Sequence, residues 1–110
     1  MDVWKAAMDL VVAIYRMTRT LPAEERFGLS AQIKRAAGSI PSNIAEGAGR
    51  ESDKDNRRFL FVARGSLNEV ATQIEICIRL GYVERQDITP LEAQMTKVRQ
   101  LLAGTIRSLG

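Results

Sequence analysis

Residues 32–47 read Gln32-Ile33-Lys34-Arg35-Ala36-Ala37-Gly38-Ser39-Ile40-Pro41-Ser42-Asn43-Ile44-Ala45-Glu46-Gly47. Apolar side chains return here at three- and four-residue steps. From Leu29 through Ile33, Ala36/Ala37, Ile40 and Ile44 to Ala48 they make one stripe, the mark of an amphipathic helix. Gln32, Arg35, Ser39, Ser42 and Glu46 fall on the opposite side. Pro41 interrupts the hydrogen bonding without interrupting the pattern. It has no N–H, its ring clashes with the carbonyl of Ala37, and the cost in an isolated helix is ~3 kcal/mol. The stripe keeps its phase on both sides, so the spacing predicts one helix, kinked at Pro41, from about Phe27 to Ala48. Gly47 and Gly49 are expected to stop it. Asn43 leans toward the apolar side, where its amide is expected to reach the carbonyl freed at Ala37.

Such a helix needs partners, and the rest of the chain supplies three. From about Asp2 to Thr20, Val3, Ala7, Leu10, Ile14, Met17 and Leu21 form a stripe, and Pro22 forbids continuation. A second stripe, Trp4, Met8, Val11 and Tyr15, lies one residue step further round. An apolar arc this wide exceeds what one neighbouring helix covers. A third helix, from about Asp53 to Leu80, begins at the capping pair Ser52/Asp55 and ends at Gly81, with Tyr82 and Val83 folding back on its last turn. The fourth is expected from about Pro90 to Ser108, because Thr89-Pro90-Leu91-Glu92 sets a cap, a first-turn proline and a third-position glutamate in order. No strand-like alternation interrupts them. Long amphipathic helices on short connections predict an all-α, antiparallel up-down-up-down four-helix bundle, residues 1–110 forming one domain.

The composition narrows the chemistry. With 110 residues and 45% apolar residues, the chain can build one core but no large enclosed active site. It contains no histidine, which removes histidine catalysis and His-containing metal sites. Glu46 and Glu69 stand without a metal-ligand pattern around them, and salt bridges to arginines such as Arg35 or Arg64 are the simpler expectation. No enzyme activity, metal or cofactor is expected. The lone Cys77, inside an apolar run, reads as a small core residue in a reducing, cytoplasmic setting. No apolar stretch reaches the roughly 18 residues a membrane span needs.

Two surfaces remain as candidate sites. Lys54, Arg57, Arg58, Phe61, Arg64 and Asn68 recur at helical steps along the third helix, with Arg50 just upstream. Clustered arginines neutralise phosphates, and an exposed aromatic among them stacks a base without reading sequence. Glu51, Asp53 and Asp55 lie close enough to take up part of that charge, and a solvated face with Phe61 in a subunit contact stays open as the other reading. The second surface is Trp4, Met8, Val11 and Tyr15, a patch that soluble monomers seldom expose and that self-association would bury.

Beyond these patterns, Phe27-Gly28-Leu29, Gln32 to Ala37 and above all Ser39-Ile40-Pro41-Ser42-Asn43-Ile44-Ala45-Glu46-Gly47 resemble one bacterial family. It is the family of four-helix-bundle proteins found as reading frames inside intervening sequences of the 23S ribosomal RNA gene. Trp4, Ile14-Tyr15, Arg58-Phe59-Leu60, Ala63 to Leu67, Glu69 and Leu80-Gly81-Tyr82 extend the resemblance over nearly the whole chain; the fourth helix matches only in pattern. The resemblance implies an antiparallel bundle. Some members are similar to the accessory protein of diversity-generating retroelements, a homopentameric ring associated with RNA and a reverse transcriptase through basic surfaces. By that analogy the chain is expected to be an oligomeric, non-enzymatic accessory protein, a pentamer that binds RNA or DNA. A protein-interaction scaffold without nucleic acid is the alternative.

Overall fold

The computed structural model describes residues Met1–Gly110. Four helices, α1 (Asp2–Thr18), α2 (Leu29–Ala48), α3 (Asp53–Arg79) and α4 (Arg85–Leu109), form a bundle about 43 × 25 × 19 Å. A 3-10 turn at Ala23–Glu25 lies between α1 and α2. Each helix packs on the two that adjoin it in cyclic order, and the diagonal pairs α1/α3 and α2/α4 stand further apart across the core. With connections this short, neighbours run antiparallel. All four helices feed one core, centred on Leu10, Ile14, Ile33, Ile40, Leu67 and Leu102.

The pair α2/α3 is the most closely packed, and the residues of the opening stretch explain why. Helix α2 runs unbroken through Pro41, which is buried, as the continuous stripe requires. Ser39, expected on the outer side, sits half-buried against α3, where its hydroxyl meets that of Ser66 while also donating to the Ala36 carbonyl at 3.0 Å. Asn43 donates its amide to the Ser39 carbonyl at 2.8 Å, within its own helix, rather than to Ala37. Gly47 does not end the helix; that falls to Gly49. A Cβ at Gly47 would lie 2.9 Å from Cβ of Phe59 and 3.0 Å from the Asn56 carbonyl oxygen, so its missing side chain lets α3 close on α2.

The helix ends correct three expectations. Helix α1 stops at Thr18, a turn before Pro22, with the Thr18 hydroxyl bonded to the Tyr15 carbonyl at 2.7 Å. Helix α2 begins at Leu29, whose N–H is taken by the Glu25 carboxylate at 3.1 Å, leaving Phe27 outside and 87% exposed. Helix α4 begins five residues before the expected Pro90, at Arg85. Burial of Ile88 and the pairing of Arg85 with Glu75 hold the extra turn. Pro90 is tolerated because the carbonyl it leaves unpaired belongs to exposed Gln86, in reach of water. At the other end of α3, Gly81 takes φ +79°, Tyr82 N–H bonds to Cys77 O and Gly81 N–H to Ile78 O, a complete Schellman closure.

Candidate nucleic-acid interface

The first half of α3 carries the basic residues that the spacing grouped together, and the bundle sorts them into two sets. Arg50 reaches Glu46 at 2.7 Å and Asp55 at 3.7 Å, while Arg58 reaches Asp55 at 3.0 Å. Both guanidinium groups also lie over the Phe59 ring, at 4.6 and 4.5 Å from its centre. These two arginines are therefore spent on closing the α2–α3 turn. Their charge is largely answered inside the protein.

Arg57, Phe61, Arg64 and Asn68 follow the next ridge, which turns toward α4. None of Lys54, Arg57 and Arg64 has a carboxylate within ion-pair distance. Phe61, 40% exposed, is held between Arg57 at 5.6 Å and Arg64 at 4.7 Å, so the aromatic ring fixes where two free guanidinium groups stand. The Nε of Arg57 is buried and has no hydrogen-bond partner, and its guanidinium lies 3.5 Å from where a Cβ of Gly110 would stand, against the end of α4. Across the seam, Arg99 of α4 donates to the side-chain oxygen of Asn68. Arg99 and, two turns further along α4, exposed Arg107 also lack a carboxylate partner. The sequence reading missed Arg99. Its only sequence signal is a cation on the fourth helix, and the pairing that brings it beside Asn68 is set by the antiparallel fold.

Further up, the same seam is electrically closed. Arg85 grips Glu75 through both carboxylate oxygens, at 3.2 and 2.9 Å, and Arg79 bonds Glu75 at 3.1 Å. Hydrogen bonds from Arg85 and then Arg79 hold the Glu75 carboxyl below its ordinary value, and the bond to Glu75 raises the Arg85 guanidinium. The seam thus holds paired charges at the end where α4 begins and unpaired cations at the end where α3 begins.

On α1, Trp4, Met8 and Tyr15 are exposed, and Tyr15 lies under the Lys34 ammonium at 5.4 Å. Val11 packs partly against the core, and Val12 takes the outward place the spacing gave to Val11. Glu46 bonds Arg50 and Glu69 approaches Gln73, so the two glutamates have separate partners. No three Cys, Asp or Glu side chains gather where they could hold a metal ion. No helix is long and apolar enough to cross a membrane.

An antiparallel four-helix bundle with unpaired arginines along the α3/α4 seam places the chain in the class of small helical-bundle proteins. The particular family follows from comparison. The family model described as 23S rRNA-intervening sequence protein matches residues 1–104, and the chain belongs to that family. A similar solved structure is that of a protein of unknown function from the S23 ribosomal protein family of Bacteroides thetaiotaomicron. It is 28% identical, with a TM-score of 0.86, over 94% of this chain and 97% of the other. No curated protein matches.

Proposed function

We propose that this protein is a cytoplasmic, self-assembling accessory protein that holds single-stranded RNA or DNA along the α3/α4 seam, without catalysis and without preference for sequence. The observation that carries this reading is the pair of unpaired cations Arg57 and Arg64 at exposed Phe61, with unpaired Arg99 beside Asn68 further along the same seam. Arginines held in fixed places meet backbone phosphates with little loss of side-chain freedom, and a guanidinium plane seated on the Phe61 ring offers its outer face to an unstacked base. Nothing on the seam matches a groove-reading element, so contacts fall on the backbone and leave sequence unread. Copies assembled through the exposed side of α1 would multiply weak seams into one stronger site; the resemblance to the retroelement accessory protein favours five copies.

Fluorescence anisotropy with a labelled single-stranded RNA at low salt tests the binding, with static light scattering at micromolar protein for the assembly. Binding that weakens steeply with added salt is expected, together with a mass several times that of the protomer. An assembled protein with no affinity for RNA or DNA at any salt concentration would favour the scaffold reading instead, which the exposed Trp4–Tyr15 side of α1 independently supports.

A further inference from the structure

On the unpaired part of the seam, the polar side-chain contact that ties α3 to α4 is the bond that Arg99 donates to the side-chain oxygen of Asn68. Arginine has donors and no acceptor, so the Asn68 amide stands with its oxygen toward the guanidinium. The contact uses one N–H of Arg99 and none of its charge. The neighbouring acids show why that matters. Glu92 lies two turns before Arg99 on the same face of α4, is exposed, and has no basic partner within ion-pair distance. Glu75, further along α3, is already held by Arg85 and Arg79. Glu69, next in sequence to Asn68, is turned toward buried Gln73. An arginine with no fixed partner here would divide its time between a bound strand and Glu92. A carboxylate at position 68 would hold Arg99 still but answer its charge, and an apolar residue would leave the charge free but unplaced. The neutral amide places it and leaves it charged.

We propose that Asn68 is a positioning residue of the seam, holding the Arg99 guanidinium away from Glu92 so that its remaining N–H groups meet one backbone phosphate of a bound strand. This rests on the nucleic-acid part of the proposed function and deepens it. It brings α4 into the site, and it assigns Asn68 a contribution made through Arg99 and not by touching the strand. The groups that Arg99 still offers are all donors, which suits a ligand group that only accepts, as a phosphate does.

The test is a double-mutant cycle on single-stranded RNA with Asn68→Ala, Arg99→Ala and the two together, followed by fluorescence anisotropy over a salt series. Asn68→Ala alone should weaken low-salt binding roughly two- to tenfold, the effect of having to fix one long side chain on binding. It should leave the log–log salt slope nearly as it was, since no charge is removed. In the Arg99→Ala background the same change should do nothing. Asn68→Asp should flatten the slope by about 0.7, the share of one phosphate contact on a single strand, while its melting temperature holds or rises, so that the loss is not unfolding. Asn68→Ala that is silent in the parent, or that weakens binding as much without Arg99 as with it, overturns the positioning role and leaves the rest of the seam standing. Asn68→Asp with the parent's slope does the same. A parent that binds no RNA at any salt concentration overturns the seam and this role together.

Discussion

Tyr82 donates its phenolic hydrogen to Glu25 at 2.9 Å, and the other oxygen of the same carboxylate accepts the Leu29 N–H at 3.1 Å. One glutamate thus ties the 3-10 turn, the first turn of α2 and the loop leading into α4. The bond to Glu25, and after it partial burial, raises the Tyr82 phenol above its ordinary value of 10. The unfolded chain ionises first, so the contribution is whole below that value and is lost as pH rises through the higher folded one. Tyr82→Phe is expected to lower the urea midpoint at neutral pH and to remove this part of the alkaline loss. An unchanged midpoint would show that the tie contributes nothing.

Two glycines of α2 are expected to respond in opposite directions. Gly47→Ala forces a Cβ against Phe59 and the Asn56 backbone, at 2.9 and 3.0 Å, and should destabilise by about 1–3 kcal/mol. Gly38→Ala places its methyl where nothing lies within 4 Å, and should stabilise the protomer by about 0.5–1 kcal/mol through helix propensity. Denaturant unfolding of the two variants checks both signs.

Acid should weaken the upper seam through Glu75. Its carboxyl is held below the ordinary value of 4.5 by Arg85 and Arg79, so its contribution is complete above that value and fades as pH falls through the lower folded one. Glu75→Gln is expected to be less stable than the parent at pH 7 and to lose less stability on acidification. Parallel pH profiles for the two proteins would contradict the assignment.

Much of this architecture is legible in the residues because apolar spacing is a local property. The phase held across Pro41 foretold one helix, and the α2 and α3 boundaries fall within two residues of where capping and spacing put them. Misreadings arose where a distant partner overrides a local signal. Thr89-Pro90 looks like a helix start, but burial of Ile88 and the grip of Arg85 on Glu75 extend α4 past it. Gly47 looks like a stop until Asn56 and Phe59 are brought against it. The basic residues of α3 were visible as a group, yet their division into Arg50 and Arg58, already paired, and Arg57 and Arg64, free, depends on where Glu46 and Asp55 reach in the fold.

That division gives the most direct test. Single-stranded RNA affinity is measured against salt for the parent, for Arg57→Ala/Arg64→Ala/Arg99→Ala, and for Arg50→Ala/Arg58→Ala. Removing three phosphate contacts should flatten the log–log salt slope by about 2, at ~0.7 per contact on a single strand, and weaken binding at low salt; removing the paired arginines should leave the slope nearly as it was. Equal losses in the two variants, or no change when Arg57, Arg64 and Arg99 are gone, would contradict the account.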